Sequence, residues 1–137
     1  MRGETVNIGR AVDLLEANLM QVARVTEWAQ LMGYKNPKKF SRRFLRHYTV
    51  RPQPVLEYMR LKSIIKALRK DGRSNFEIAR AHGIPDEKGL NKFTNYHLDC
   101  SPTHLKKIPE KKIQEKLDRI AHQEIWLSER QRSSSGM

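Results

Sequence analysis

The chain of 137 residues is long enough for one domain with a modest hydrophobic core. Lys and Arg number 27 against 15 Asp and Glu, and the net charge of +12 favours nucleic acid as a partner, ahead of an anionic membrane surface or no polyanion at all. The single cysteine excludes an intrachain disulfide, and no apolar run approaches the ~20 residues of a membrane span, so we expect a cytoplasmic protein without a membrane partner.

Two amphipathic helices are predicted at the start of the chain. An apolar face at helical spacing predicts the first helix over residues 8–22. The residues of that face are Ile8, Val12, Leu15 and Leu19. A second, shorter helix begins near Thr26, a candidate N-cap, and Gly33 gives it a stop. Its expected inward side chains are Trp28, Ala29 and Met32.

The most cationic segment of the chain is predicted to form a helix over residues 37–48. Asn36 is a good N-cap, and Pro37 suits the first helical position. Along one side, aromatic side chains recur every four residues: Phe40, Phe44 and Tyr48. Along the far side, cations recur every four residues: Lys38, Arg42 and Arg46. A helix that is anchored by aromatics and presents cations outward is suited to lie against a polyanion.

Further helices are predicted downstream. A long helix spans residues 53–70, a short helix follows the capping box of Ser74 and Glu77, and further helical segments span residues 87–98 and 101–107. The outward side of the long helix is predicted to carry solvated cations: Arg60, Lys62, Lys66, Arg69 and Lys70. Because these elements alternate with short turns, the sequence predicts an all-α fold.

Residues 25–52 and residues 75–102 repeat one pattern at a fixed offset of 50. The matched landmarks are Glu27 with Glu77, Ala29 with Ala79, Gly33 with Gly83, Lys38 with Lys88, His47 with His97 and Pro52 with Pro102. Several landmarks match without a gap, which makes chance a poor explanation. We therefore predict two helix-turn-helix units, the first unit (residues 25–52) and the second unit (residues 75–102), joined by the long helix.

The C-terminal part is predicted to contain one more helix, residues 110–127, followed by a disordered tail, residues 128–137. The apolar stripe of this helix consists of Ile113, Leu117, Ile120 and Leu127. We expect the helix to pack back on the domain, with binding of a partner helix as the alternative.

Several motifs resemble the DNA-binding domain of the AraC/XylS family of transcription factors. They are Glu27-Trp28-Ala29 with Gly33-Tyr34, then Phe40-Ser41-Arg42-Arg43-Phe44, then Pro52, and Tyr58-Met59-Arg60-Leu61 in the joining helix. The resemblance covers residues 8–107 and is weaker in the second unit, where Thr94 replaces the usual aromatic. Thr49 and Asp99 also stand where the family usually has glycine. The chain is similar in size to the stand-alone, monomeric members of that family.

The resemblance implies a bacterial transcription regulator, an activator, with about seven helices over residues 8–107 and an extra C-terminal helix in this chain. Its two recognition helices are expected to enter adjacent major-groove segments of double-stranded DNA as a monomer, with no cofactor. RNA polymerase is a further candidate partner, and the expected location is the cytoplasm, in association with the nucleoid. The base-reading positions that the resemblance implies are Lys38, Ser41, Arg42, Lys88, Asn91 and Lys92.

The charge of the two units predicts that the first one dominates DNA binding. The first unit has seven Lys and Arg and one Glu, a net charge of +6, whereas the second has three cations and four acids, a net charge of −1. The cations expected to contact phosphates are Lys35, Lys39, Arg43, Arg46 and Arg51. For Lys39 and Arg43, a plain solvated charge is the alternative. The second unit contributes less, through Lys88, Asn91 and Lys92 with Tyr96 as a further candidate, or only steadies the fold.

Other functions remain as alternatives. An adaptor with this fold could bind DNA weakly and a protein strongly, through the fold or the C-terminal helix. RNA binding is disfavoured because no exposed aromatic platform is predicted. An enzyme is not expected, since the chain has no phosphate-binding glycine loop, no Ser/His/Asp set and no histidines at metal-binding spacing. His47 and His97 are expected to pack inside, and nothing predicts a reactive Cys100.

Overall fold

The structure is a computed structural model that describes residues 5–70 and 72–126, with the backbone alone for residues 124–126. Over these residues the chain forms eight α-helices and no β-strand. The helices are α1 Ala11–Ala17, α2 Val25–Leu31, α3 Pro37–Tyr48, α4 Pro52–Lys70, α5 Asn75–Ala81, α6 Glu87–Leu98, α7 Pro102–Leu105 and α8 Glu110–Ile120. The predicted all-α fold, two helix-turn-helix units on a joining helix with an added C-terminal helix, is confirmed. None of the helices in the described ranges is long and apolar enough to cross a membrane.

The first predicted helix is interrupted, and the prediction of one continuous helix over residues 8–22 is wrong. A 3-10 turn, Ile8–Arg10, precedes α1, and a second one, Leu19–Gln21, follows it. Asn18 ends α1, because its side-chain amide donates to the Leu14 carbonyl at 2.8 Å and its backbone N–H donates to the Leu15 carbonyl at 3.0 Å. Of the predicted apolar face, Leu15 is fully buried, and the other three residues are half-buried.

The start of α2 also differs from the prediction. Arg24, not Thr26, is the N-cap. The Glu27 carboxylate accepts hydrogen bonds from the backbone N–H of Ala23 at 2.7 Å and of Arg24 at 3.2 Å. Glu77 binds the backbone N–H of Ser74 in the same way, at 2.9 Å. The matched glutamates of the repeat therefore both bind the orphan N–H groups at a helix start.

The repeat extends to the backbone of every turn. The N–H of Tyr34 donates to Ala29 at 2.9 Å, and the N–H of Ile84 donates to Ala79 at 2.9 Å. Positive φ angles recur as well, 85° at Gly33 and 75° at Gly83, where the helix-turn-helix turns begin. Because these turns coincide, α2 with α3 and α5 with α6 are built as two copies of one unit.

The two positions that lack the family's usual glycine adopt left-handed backbone. Thr49 ends α3 with a φ of 63°, and Asp99 ends α6 with a φ of 59°. A β-branched residue is strained in this region, whereas Asp tolerates it better. We expect Thr49→Gly to raise the free energy of unfolding by about 1 kcal/mol and Asp99→Gly to raise it less. Urea unfolding of the two variants measures both, and a lower stability of Thr49→Gly would contradict the expectation.

The two units have separate cores that share α4. The first core is aromatic: the Trp28 ring lies 5.4 Å from that of Phe40 and 5.0 Å from that of Phe44, between centroids. The second core is mainly aliphatic. Its fully buried residues are Leu61, Ile64, Ile78, Ala79, Leu90 and Leu105. Leu56 of α4 belongs to the first core, so this helix connects the units through buried contacts at both ends.

The C-terminal helix packs against the second core, as predicted. Ile113, Leu117 and Ile120 are buried there. Beyond Ile120 the α-helix changes to a π-helical turn, Ala121–Trp126, so the predicted helix over residues 110–127 ends early in its regular form. Leu127 and the predicted disordered tail, residues 128–137, lie outside the described residues.

Three cations hold the second unit together, although the sequence predicted a solvated basic face on α4. Arg60 donates to the carbonyl of His82, at the C-terminal end of α5. Arg69 donates to the carbonyls of Leu105 at 2.8 Å and Ile108 at 2.7 Å, after α7. From α8, Lys116 donates to the carbonyl of Leu98 at 3.1 Å. Cations suit the carbonyl-rich ends of helices, so these charges serve the fold. Of the predicted set, Lys62, Lys66 and Lys70 are exposed.

The histidine prediction holds for His97 and is wrong for His47. The side chain of His97 is 6% exposed, and its Nε2 lies 3.9 Å from a carboxylate oxygen of Glu57. His47 is exposed instead, with its ring against that of Tyr48. At 100° per residue, position 47 falls at the edge of the buried side of α3, where a small rotation of the helix decides exposure.

His82 is the buried histidine that gives the fold a pH dependence. Its ring nitrogens lie 2.8 Å from the Ile78 carbonyl and 2.9 Å from the Ser63 hydroxyl, so the neutral ring is satisfied on both sides. Burial is the main cause that lowers the pKa of His82 below its usual 6.5, and the charges of Arg60 and Arg73 lower it further. The unfolded state therefore binds a proton first as the pH falls through 6.5.

We expect the protein to lose stability between pH 7.5 and pH 5.5, a window set by the unperturbed pKa of about 6.5. The matched variant is His82→Met, since Met32 occupies the same place in the first unit. It should lose less stability than the wild type over that interval, because it has no proton to gain. Urea unfolding at both pH values measures the difference. An equal pH dependence in both proteins would assign the effect to other groups.

Candidate nucleic-acid interface

Helix α3 is held in a fixed orientation by both of its ends and by its aromatic side. The Asn36 side chain accepts from the N–H of Lys38 at 2.9 Å, which confirms the predicted N-cap. Phe40 and Phe44 are fully buried. The Tyr48 hydroxyl donates to the Ile8 carbonyl at 3.0 Å, and burial raises the pKa of this phenol, so it stays a donor at neutral pH. The opposite side of α3 is consequently fixed toward solvent.

The outward side of α3 carries cations that no acid pairs with in residues 5–70 and 72–126. Eight contact residues are predicted in the first unit, and Ser41 alone among them is half-buried. The other seven are exposed: Lys35, Lys38, Lys39, Arg42, Arg43, Arg46 and Arg51. Within the described ranges, none of these cations forms an ion pair. Their charge is therefore available to a polyanion that approaches α3.

The structure brings together only some of the predicted residues. Ser41, Arg42 and Arg51 line one open cavity of about 400 Å³ beside the starts of α2 and α4. Gln53 also lines it, a polar residue that the sequence did not single out. At 100° per residue, Arg46 lies about 40° from Arg42 around α3, and Lys39 and Arg43 lie about 60° and 100° from it. The cations thus continue from the cavity around the outward side of the helix. Lys35 and Lys38 lie outside the cavity lining.

The predicted base-reading residues of the second unit are exposed on α6, in a unit that has fewer cations than the first. Lys88, Asn91 and Lys92 all reach solvent. The side-chain amide of Asn95 donates to Asn91 Oδ1 at 3.0 Å, which holds the Asn91 amide in one orientation. Asn91 Oδ1 keeps a second lone pair and its amide nitrogen keeps its donors, so recognition of an adenine edge remains feasible.

The start of α6 carries two acidic residues, whereas the start of α3 carries none. Asp86 is the N-cap and accepts from the N–H of Gly89 at 2.8 Å, whereas Asn36 has this role in α3. Glu87 is exposed in the first turn of α6. These carboxylates favour their own helix terminus and oppose a phosphate there.

The sequence named Tyr96 as a further candidate contact, but it did not identify the face of α6 that Tyr96 forms beside Lys92. Gly89, Phe93 and Tyr96 occupy the places that Lys39, Arg43 and Arg46 hold in α3. We call these three residues the aromatic face. Tyr96 is 84% exposed, so the prediction that no exposed aromatic platform exists is wrong. A comparison of the outward residues of the two units at the offset of 50 would have revealed this face in the sequence.

Three solved structures share this architecture. A transcriptional regulator with an AraC-type DNA-binding domain from Chromobacterium violaceum has a TM-score of 0.59 at 20% identity, over 72% of this chain and 88% of its own. The DNA-binding domain of AdpA, a global transcriptional factor, was solved in complex with a target DNA; it has a TM-score of 0.61 at 20% identity, over 74% and 91%. The C-terminal domain of AraT, a response regulator from Geobacillus stearothermophilus, has a TM-score of 0.62 at 17% identity, over 75% and 88%.

At these identities the comparison establishes the fold: the chain has the fold of AraC-type DNA-binding domains. The sequence matches no family model, and it matches no curated protein at a significant level. The motifs that resemble the AraC/XylS domain and the architecture of the helices thus point to the same fold.

Proposed function

From this fold and this surface, we propose that the protein is a sequence-specific, double-stranded-DNA-binding transcription regulator. Helices α3 and α6 enter adjacent major-groove segments on one face of the duplex, and the protein binds as a monomer because one chain supplies both recognition helices. RNA polymerase is a further partner of such a regulator, and its location is the cytoplasm, at the nucleoid. The solved complex of the AdpA domain with its target DNA supports DNA as the partner of this fold.

The observation that carries the proposal is the cationic side of α3, which has no ion pair among the residues that the structure describes. Its charges lie on a helix that the aromatic core holds rigidly, which is the arrangement of a recognition helix. The length of α4 supports two adjacent segments: 19 residues span about 28 Å, close to the roughly 34 Å of one duplex turn.

Each predicted contact residue has a proposed role. Arg42 pairs bidentately with guanine and Asn91 with adenine, each contributing roughly 1–3 kcal/mol of discrimination. Lys38, Ser41, Lys88 and Lys92 read neighbouring base edges. The phosphate contacts are Lys35, Lys39, Arg43, Arg46 and Arg51. The first unit dominates affinity because it has seven Lys and Arg residues where the second unit has three.

Selection of bound sequences from a random DNA pool tests the function. The proposal expects one enriched motif of about one to two helical turns. The second candidate function is the protein-binding adaptor, which the exposed Tyr96 and the net charge of −1 in the second unit favour. No enriched motif, together with a stable complex with another protein, would select the adaptor.

The salt dependence of binding provides a second expected result. If the protein neutralises about six phosphates, the logarithm of the association constant should fall with the logarithm of salt concentration at a slope of roughly −5. Fluorescence anisotropy titrations of a labelled duplex across a salt series measure this slope. A flat dependence would argue against DNA as the partner, because counterion release accompanies every phosphate contact.

A further inference from the structure

We propose that the aromatic face of α6 (Gly89, Phe93 and Tyr96) reads thymine methyl groups in the major-groove segment that the second unit enters. This inference rests on the proposed DNA-binding function and names the base chemistry that the second unit recognises. It assigns specificity to a unit whose charge gives it little affinity for phosphate.

The starting point is the replacement of three cations by apolar groups at matched places. Lys39, Arg43 and Arg46 on α3 correspond to Gly89, Phe93 and Tyr96 on α6. The remaining outward positions keep their polar character, since Lys88 matches Lys38 and Lys92 matches Arg42. The change is thus confined to one side of the helix, and that side has exchanged electrostatic contacts for apolar surface.

The aromatic face is a built surface. The Phe93 ring lies under the guanidinium of Arg60, at 5.6 Å from its centroid, and against the ring of His97 at 4.5 Å. The Tyr96 ring also lies against that of His97, with 5.0 Å between ring centroids. His97 in turn lies beside Glu57 of α4. Arg60 of α4 therefore positions the Phe93 ring before any ligand binds, which lowers the entropy lost on binding.

Gly89 lets α6 pack closely against the turn that precedes it, beside the aromatic face. A Cβ added at this position would come within 2.8 Å of Ile84 Cγ2, so any larger residue requires Ile84 to move. Gly89, Lys92, Phe93 and Tyr96 line an open depression of about 440 Å³, which is mainly apolar with one cation at its side. A depression of this kind accepts a small apolar group that belongs to a polar, anionic molecule.

Thymine supplies such a group. Its C5-methyl is the only apolar group that an unmodified base pair presents in the major groove, and aromatic side chains can contact it. The flanking Lys88 and Lys92 fit the polar base edges and phosphates around that methyl, and α4 connects the face rigidly to the cationic side of α3. A protein partner could bind the same apolar surface, but its binding would not require that α4 connects this surface to the cationic side of α3.

Thymine-to-uracil substitution tests the inference, because it removes only the methyl group. The duplex is the site obtained from the random pool, with each thymine replaced singly by uracil. We expect uracil at one or two thymines in the half-site of the second unit to weaken wild-type binding about fourfold, the effect of losing one buried methyl group. Tyr96→Ala and Phe93→Ala should abolish that sensitivity at the same thymines. Tyr96→Ala is the principal variant, since an exposed side chain has little part in folding.

Met20→Ala is the matched control, because Met20 is a half-exposed apolar residue after α1 and lies outside both helix-turn-helix units. It should keep the wild-type response to uracil. Sequence-specific binding in which no thymine couples to Tyr96 or Phe93 would overturn this inference and leave the proposed function intact; a protein partner would then be the occupant of the face. Loss of all sequence-specific binding in the wild type would overturn both.

Discussion

Reversal of two charges on α3, Arg42→Glu with Arg46→Glu, is expected to nearly abolish DNA binding. The change removes the guanine contact proposed for Arg42, worth roughly 1–3 kcal/mol of discrimination, and the phosphate contact proposed for Arg46, and the new negative charges add repulsion beyond that. Both side chains are exposed, so the fold should survive the change. Anisotropy titration with the selected duplex measures the loss, and an unchanged far-ultraviolet dichroism spectrum checks the fold.

The matched comparison uses alanine at equivalent places. Arg42→Ala with Arg46→Ala removes two cations from α3, and Lys88→Ala with Lys92→Ala removes two from α6. The first pair should cost more affinity, because α3 lies in the unit with a net charge of +6 and α6 in the unit with a net charge of −1. A larger loss from the α6 pair would contradict the dominance of the first unit.

Trp28→Ala is expected to destabilise the protein by about 3–5 kcal/mol, a large part of the stability of a domain of this size. Trp28 is fully buried and joins α2 to α3 through Phe40 and Phe44. Its indole N–H also donates to the Ala11 carbonyl at 3.0 Å, so the change leaves an acceptor without its partner as well as a cavity. Urea unfolding followed by circular dichroism measures the loss.

Two comparison variants separate the causes. Trp28→Phe keeps an aromatic ring in the first core and removes the indole donor, and it should cost about 1–3 kcal/mol. Ile78→Ala changes the matched residue of the second core, which is also fully buried, and it should cost about 2–5 kcal/mol without affecting the first core directly. A loss below about 1 kcal/mol for Trp28→Ala would mean that the first core tolerates a large void, contrary to close packing.

Much of the fold could be predicted from the sequence because its signals are local. Asn36 and Pro37 determine the start of α3, Ser74 with Glu77 that of α5, and Asp86 that of α6. The structure places α3 and α6 at the predicted bounds. Periodic apolar residues also identified the buried side of α8. In each case the chain within a few residues contains the deciding interaction.

The predictions were wrong where the interaction that decides the structure competes with a regular helix or joins residues far apart in the sequence. The break of the first helix depends on a side-chain bond from Asn18 to Leu14, which competes with continued helix. The structural use of Arg69 depends on carbonyls 36 and 39 residues away, at the end of α7. Spacing within one helix contains no information about such partners.

Only the charge of the contact surface could be predicted from the sequence. The sequence identified α3 as the cationic helix, and the structure places those cations outward and unpaired within the part that it describes. The sequence named only Tyr96 of the aromatic face of α6, because Gly89 and Phe93 are ordinary residues until they are compared with Lys39 and Arg43 on α3. Which side of each helix meets DNA depends on tertiary contacts, and sequence periodicity does not contain them.

The central claim is that α3 is the dominant recognition helix of a paired helix-turn-helix. Affinity for every single base-pair variant of the selected site, measured with the wild type, Arg42→Ala and Lys92→Ala, tests it most directly. The largest losses should cluster in one half-site, and Arg42→Ala should abolish the discrimination there, whereas Lys92→Ala should affect only the other half-site and more weakly. Losses that Arg42→Ala leaves unchanged, and that instead depend on Lys92, would contradict the claim.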